Sequence, residues 1–164
     1  MTASKTPIPE GFHTVTASLI VSNAADAIEF YKKALGATEI MRMAGPDGKI
    51  GHAEIKIGDS IVFLSDEFPG MGGKSPQTAG AYTGGLYLYI PDVDAAFQRA
   101  VDAGAKANMP VADMFWGDRC GQLVDPFGHA WTLSTHTQDY TPEEIEDGAK
   151  AWQAQMAQMQ KKTA

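Results

Sequence analysis

The chain has a single cysteine, Cys120, and fewer basic than acidic residues, and both shortages exclude classes of function. One cysteine cannot form a disulfide within the chain, so the fold must be stable without one. Lysine and arginine total 13 against 20 aspartate and glutamate residues, which gives a net charge of −7. Since binding to nucleic acid or to an anionic membrane needs clustered basic side chains, we expect neither partner.

Long apolar runs are also absent. No stretch approaches the roughly 20 apolar residues that a membrane-spanning helix needs. The N-terminal sequence MTASKTPIPEGFH lacks the apolar segment of a signal peptide. We therefore expect a cytoplasmic protein, and a hydrophobic content of 44% with 20% charged residues is typical of a globular domain.

The chain contains an internal repeat with an offset of 69 residues. The segment LIVSNAADAIEFYKKALGA, from Leu19, aligns with LYIPDVDAAFQRAVDAGA, from Leu88, with one gap opposite Leu35. The same offset relates three further pairs: Thr16 and Gly85, Ile55 and Val124, and Phe63 and Thr132. A repeat of this length indicates two copies of one supersecondary unit.

Each copy has the pattern of a strand, a helix and three more strands. In the first copy, composition and turn residues predict strands at 13–21, 38–44, 50–57 and 60–65. An apolar stripe predicts a helix that is capped by Ser22 or Asn23 and ends at Gly36. The second copy gives strands at 86–90, 106–111, 121–124 and 130–135 and a helix over 93–103. The predicted fold class is therefore α+β, with tandem βαβββ units.

These units divide the chain into five segments. We expect a flexible N-terminal arm over 1–11, the first unit over 12–67, a linker or flap over 68–84, the second unit over 85–137 and a C-terminal helix over 141–162. The linker is rich in Gly, Pro, Ser and Thr and is long for a connection, which is typical of a mobile flap.

The C-terminal helix begins with a capping box, Thr141-Pro142-Glu143-Glu144. Its apolar residues recur at alternating steps of four and three: Ile145, Ala149, Trp152, Met156 and Met159. Such a stripe must cover apolar surface, either on its own domain or on a second subunit.

Two stretches carry a family resemblance, together with the tandem βαβββ pattern. The sequences HAEIKIGDSIVFLSDE, over 52–67, and GDRCGQLVDPFGHAWTLSTH, over 117–136, resemble the PhnB-like branch of the vicinal oxygen chelate superfamily. This superfamily includes glyoxalase I, bleomycin-resistance proteins and extradiol dioxygenases. The resemblance implies a curved mixed sheet around a cavity, and it implies a homodimer, since dimers are common among the members.

In the metal-binding members, four inward positions of the sheet hold a divalent ion through His, Gln or Glu. The resemblance places these positions on Thr16, Phe63, Gly85 and Thr132 of this chain. None of these side chains is a useful metal ligand. We therefore predict no metal and no other cofactor, and a divalent metal enters only under an alternative in which the ligands lie elsewhere.

His52 and Glu54 are the candidates for catalysis. They lie two residues apart on a predicted strand, so both side chains point to the same face. A hydrogen-bonded pair on the cavity wall is favoured over a metal site, because a third ligand is not evident. Under an enzymatic alternative, either residue would be a general base.

The remaining candidates would bind a ligand. Tyr87 and Tyr89 share the inward face with Gly85 and could stack on a planar molecule or fill a collapsed core. Trp116 and Arg119 could form the cavity mouth, with Arg119 binding an anion or pairing with Asp118. The predicted ligand-binding set is Thr16, Phe63, Tyr87, Tyr89, Trp116, Arg119 and Thr132.

The sequence thus favours a protein that binds a small organic molecule in a cavity without a catalytic metal. The alternative is a lyase, isomerase or dioxygenase of the same superfamily, either metal-independent with Glu54 or His52 as base, or metal-dependent.

Overall fold

The computed structural model describes residues 6–163, with side chains up to residue 158. Residues 1–5 of the predicted arm and the side chain of Met159 lie outside the described part. No helix between residues 6 and 163 is long and apolar enough to cross a membrane.

The two predicted βαβββ units are confirmed, each with its own four-stranded mixed sheet. The first unit consists of β1 (Ala17–Val21), α1 (Ala24–Leu35), β2 (Thr38–Ala44), β3 (Ile50–Ile57) and β4 (Ser60–Asp66). A short helix, α2 (Pro76–Ala79), precedes the second unit, which consists of β5 (Gly85–Tyr89), α3 (Val93–Asp102), β6 (Lys106–Asp113), β7 (Asp118–Val124) and β8 (Ala130–His136). The strand orders are β1-β4-β3-β2 and β5-β8-β7-β6, and α4 (Pro142–Thr163) follows.

The sheet registers show where the sequence repeat holds. Ala17 pairs with Val62 in the first sheet, and Leu86 pairs with Trp131 in the second, so β1 and β4 keep the offset of 69. On the neighbouring strands Ile55 pairs with Val62, whereas Leu123 pairs with Trp131. The alignment of Ile55 with Val124 is therefore wrong by one residue. Because Leu35 has no counterpart, the offset falls to 68 over β2 and β3, and it returns to 69 at β4 because the turn before β8 is one residue longer than the turn before β4.

The repeat extends to the way in which each helix begins. The carboxylate of Asp66 accepts a hydrogen bond from the backbone N–H of Ala24, at 2.9 Å. The hydroxyl of Thr135 accepts one from Val93 N–H, also at 2.9 Å. Both pairs are related by the 69-residue offset, so the last strand of each unit satisfies a free N–H group at the start of its own helix.

Three strand limits differ from the prediction by more than one residue. The first strand begins at Ala17 instead of residue 13, since its pairing with β4 begins at Ala17 and Val62. The strand expected over 121–124 begins at Asp118, and β6 continues to Asp113. Both extensions follow from pairing, since β7 pairs with β8 as far as His136 and with β6 as far as Asp113.

One cluster of buried side chains lies between the helices and the convex faces of both sheets. Asp125, in the turn before β8, joins the two units there. Its carboxylate accepts hydrogen bonds from Tyr31 Oη of α1 at 2.7 Å and from Trp131 Nε1 at 2.9 Å. The backbone N–H groups of Phe127 and His129 also donate to it at 2.9 Å. The concave faces of the sheets lie on the opposite side from this core.

The linker over 68–84 includes α2, which has no counterpart in the prediction. Ser75 caps α2, and its own N–H donates to Glu67 at 2.9 Å. Gln77 Nε2 donates to Pro126 O of the second unit at 2.8 Å. The linker is therefore attached to both units in this conformation, and its motion as a flap stays a prediction.

Candidate functional site

The concave face of the first unit brings together three predicted site residues. His52 Nε2 lies 3.2 Å from Glu54 Oε1, and the His52 ring packs edge-on against Phe63 with 4.9 Å between the ring centroids. Glu54 is the direct neighbour of Phe63 across β3 and β4. Ala53 and Ile55 are fully buried on the other face, so the predicted alternation of this strand holds. His52 and Glu54 therefore line the open side of the sheet.

The N-terminal segment over 7–14 covers this face. The Phe12 ring lies 5.9 Å from the Phe63 ring, and a cavity of about 470 Å³ lies between the segment and the sheet. Thr16, Glu54 and Phe63 line that cavity from the sheet side. Part of the predicted arm is therefore a wall of the site, a role that its composition does not indicate.

Asp118 is the centre of the concave face of the second unit. It is 2% exposed, and three donors converge on its Oδ2 atom. These are Tyr89 Oη at 2.9 Å, Tyr87 Oη at 3.0 Å and Trp116 Nε1 at 3.1 Å. His136 Nδ1 lies 2.8 Å from the other oxygen, Oδ1. Burial alone would raise the pKa of the Asp118 carboxyl, but the four hydrogen bonds outweigh burial and lower it.

His136 lies between two carboxylates. Its Nε2 is 3.0 Å from Asp139 Oδ1, while its Nδ1 faces Asp118. Hydrogen bonds to Asp139 and then to Asp118 raise the pKa of the imidazole above its ordinary value. Since both ring nitrogens face carboxylate oxygens, the arrangement favours the protonated ring, which donates to both.

Tyr87 and Tyr89 form an open aromatic surface instead of a collapsed core. They are 47% and 62% exposed, and their ring centroids are 5.1 Å apart. Burial and the hydrogen bond to Asp118 raise the pKa of Tyr87 to about 12, although Ser134 opposes the shift. Thr132 is the direct neighbour of Tyr87 on β8 and lies on the same face. A groove of about 840 Å³ extends from these rings to the Gly58-Asp59 turn of the first unit.

Two smaller polar groups lie beneath these rings. Cys120 is buried, and burial raises the pKa of its thiol, which is the opposite of what a nucleophilic cysteine requires. The buried hydroxyl of Ser134 makes no hydrogen bond of good geometry, although it lies close enough to Tyr87 to influence the phenol. This face thus retains unused hydrogen-bonding capacity at its floor.

The structure does not bring Arg119 to either face. Its guanidinium donates to both oxygens of Asp94 on α3, each at 2.8 Å, and to Asp113 at 3.1 Å. Along β7 the odd-numbered residues point toward the helices, as Leu123 shows by its burial. Arg119 therefore forms a surface ion-pair cluster, with different partners from the predicted Asp118.

Asp118 and His136 are site residues that the prediction does not include. The predicted strand begins at Gly121, which leaves Asp118 in a loop at the cavity mouth. Continuing the alternation back from Cys120 would have placed Asp118 on the inward face. His136 directly follows the predicted last strand, and the sequence shows no evident neighbour for it, yet it is the direct pairing partner of Asp118.

The side chains at the four metal positions do not fit a metal. Thr16, Phe63, Gly85 and Thr132 offer two hydroxyls and no imidazole or carboxylate. In the described part of the chain, no three His, Cys, Asp or Glu side chains are grouped so that they could hold an ion. His52 and Glu54 supply only two metal-ligating side chains. The oxygens of Asp118 already accept hydrogen bonds from the side chains around it.

Comparison with known proteins identifies the family. Residues 11–133 match the model of the Glyoxalase/Bleomycin resistance protein/Dioxygenase superfamily. The chain belongs to this superfamily. An uncharacterized protein of Mycobacterium tuberculosis is 45% identical over 131 residues, which cover 78% of this chain and 77% of that protein.

Solved structures of similar proteins agree with the superfamily fold. TioX from Micromonospora sp. ML1 is 25% identical with a TM-score of 0.62, covering 76% of this chain and 98% of that chain. A gene product from Arabidopsis thaliana is 27% identical with a TM-score of 0.60, covering 75% and 98%. The tandem units are therefore an architecture that this chain shares with both proteins.

Proposed function

We propose that this superfamily member binds a small organic molecule against its concave faces and does so without a catalytic metal. The observation that supports this most directly is the chemistry of the inward positions. Where metal-binding members have ligands, this chain has Phe63 beside Phe12 in the first unit and Thr132 beside Tyr87 in the second. Aromatic rings that are open to a cavity favour a planar or apolar ligand, because stacking on such a ligand removes apolar ring surface from water and stabilises the complex.

The hydrogen bonds of the second face restrict how a ligand is oriented. The hydroxyl protons of Tyr87 and Tyr89 are both donated to Asp118. Their oxygens therefore present lone pairs, and a ligand group that approaches them must be a donor. In the first unit, Thr16 and Glu54 provide polar contacts at the cavity beside Phe63. A ligand with an aromatic ring and a donor group at its edge fits both faces.

Catalysis without a metal is the second candidate function. The observation that favours it is the contact between His52 Nε2 and Glu54 Oε1 at 3.2 Å, next to a cavity. A carboxylate that is oriented by an imidazole can take a proton from a carbon acid and return the same proton to a different atom of the substrate, as an isomerase requires. Under this candidate Glu54 is the base and His52 orients it.

The proposal includes a homodimer in the cytoplasm. The concave face of the second unit, with its exposed tyrosines, has no cover comparable to the segment over 7–14 on the first unit within the described residues. A second subunit would enclose it. A single buried free cysteine is compatible with a reducing compartment.

A thermal-shift screen of planar aromatic molecules, run with and without EDTA, tests the proposal. We expect stabilisation by at least one compound, equal in both conditions. Phe63→Ala or Tyr87→Ala should lower the apparent affinity for that compound at least about tenfold, because each variant removes a stacking surface. Arg119→Ala is the matched control from the opposite face and should leave binding unchanged. Binding that requires added metal, or that depends on Arg119 and not on the rings, would reject the proposal.

A further inference from the structure

The apolar stripe of α4 has the spacing of a coiled-coil seam. Steps of four and three residues separate Ile145, Ala149, Trp152 and Met156, and Met159 continues the series in the sequence. This spacing corresponds to the a and d positions of consecutive heptads, which are used when one helix packs along another helix. Such a seam is narrower than the face of a helix that covers a sheet.

No helix or strand in the described part of the chain packs closely against α4. Its contacts are with the loop before β7, where Gly148 lies directly against Phe115 and the Trp152 ring is 6.3 Å from the Phe115 ring. The groove beside this loop is lined on the helix side by Gly148, Ala151, Trp152 and Gln155. Trp152 belongs to both sets, and Ile145 and Ala149 are half-buried by their own chain, so the first half of the seam is partly covered and its second half is open. Trp152 is 50% and Met156 is 38% exposed.

The charges along α4 favour an antiparallel partner of the same sequence. Its first two turns contain Glu143, Glu144, Glu146 and Asp147, and its last turn contains Lys161 and Lys162 in the sequence. Two copies running in opposite directions place the acidic end of each helix beside the basic end of the other. Parallel copies would place like charges together, and their helix dipoles would also repel.

We propose that α4 forms an antiparallel two-helix coiled coil with α4 of a second copy of this chain. In this arrangement Ile145 of each helix lies opposite Met156 of the other, and Ala149 lies opposite Trp152. The pairing of the smallest seam residue with the largest keeps the helices at a uniform separation. This inference rests on the homodimer of the proposed function and specifies which surface holds it.

Sedimentation velocity over a concentration series tests the seam. The double variant Ala149→Glu with Met156→Glu puts two charges into the seam, and we expect its association constant to fall at least about tenfold. The control, Ala154→Glu with Gln158→Glu, adds the same charge on the opposite side of the helix and should associate like the unmodified chain. A seam variant that associates like the control, or a full-length chain that is monomeric at about 100 μM, rejects the coiled coil.

Cysteine cross-linking tests the direction of the helices. Air oxidation of a mixture of Ile145→Cys and Met156→Cys chains should give a mixed disulfide dimer, whereas Ile145→Cys alone should give none above the background of the unmodified chain with Cys120. Homodimeric cross-links of Ile145→Cys alone would indicate parallel helices and overturn the proposal. Ligand binding at Phe63, measured in the seam variants, separates the two proposals, because that face is walled by the segment over 7–14 of its own chain and does not need the second subunit.

Discussion

Asp118 and His136 form a contact in which each partner favours the charged form of the other. The carboxylate is nearly inaccessible to solvent, yet it receives four hydrogen bonds, and its pKa is lowered. The imidazole is more accessible and faces a second carboxylate on Asp139, and its pKa is raised. An ion pair of this kind fixes the two tyrosine hydroxyls that a ligand would meet.

The pKa of His136 gives a first prediction. We expect NMR titration of the His136 ring to show a pKa above the ordinary value of about 6.5. The variants Asp139→Asn and Asp118→Asn should each lower that pKa, because each removes a carboxylate that stabilises the imidazolium. An unshifted His136 in the unmodified chain would contradict the described contact.

The same shift has a consequence for stability. Because the pKa is higher in the folded protein than in the unfolded chain, His136 stabilises the fold fully at pH values below its unfolded pKa. This contribution is lost as the pH rises through the folded pKa. In the unmodified chain, the free energy of unfolding should therefore decrease as the pH rises from about 6.5, the ordinary pKa of histidine, through the folded pKa. In His136→Gln this decrease should be smaller. A denaturation series at several pH values measures the difference, and equal slopes would exclude the effect.

Among the elements, the turn before β8 connects the units through Asp125. Asp125→Asn replaces the oxygen that accepts hydrogen bonds from Tyr31 and Trp131 with an amide N–H donor. The indole N–H of Trp131 can only donate, so it loses its acceptor. We expect the free energy of unfolding to fall by about 2–3 kcal/mol, the usual result when a buried donor loses its acceptor. Urea denaturation measures this change.

Asp59 provides the control for that prediction. It lies in the equivalent turn of the first unit, is exposed, and accepts a hydrogen bond from the hydroxyl of its neighbour Ser60. Asp59→Asn should change the free energy of unfolding by less than about 0.5 kcal/mol, as surface substitutions usually do. Equal losses in both variants would mean that Asp125 does not join the units.

Elements that depend on local chemistry are predictable from the sequence. Helix α1 has its cap at Asn23 and its end at Gly36 as expected, with Gly36 at φ +67°. Helix α2 has four residues, too few to show a periodic pattern. The start of β7 is fixed by the pairing of Asp118 with His136, a distant partner, and no property of Asp118 itself reveals that pairing. The sequence therefore predicts that aromatic residues lie on the concave faces, and it does not predict the central position of the Asp118 carboxylate.

The molecule as a whole has one core shared by its two units. Buried side chains from α1 and α3 belong to the same cluster, and the Tyr31 and Trp131 rings pack with 5.4 Å between their centroids. We expect a single cooperative unfolding transition for both units, with α4 free to lose its helix separately. Far-UV circular dichroism and tryptophan fluorescence should give the same midpoint for the main transition. Two well-separated transitions of the sheet units would contradict the shared core.

The absence of a catalytic metal is the part of the account that elemental analysis tests most directly. The protein is purified without chelator, analysed for bound metal, and then titrated with Ni²⁺, Zn²⁺, Mn²⁺ and Fe²⁺. Because Thr16, Phe63, Gly85 and Thr132 offer no strong ligand, we predict no stoichiometric metal and no binding tighter than about micromolar. One metal ion retained per chain, and lost in a Glu54→Ala variant, would contradict the account and identify the His52–Glu54 face as a metal site.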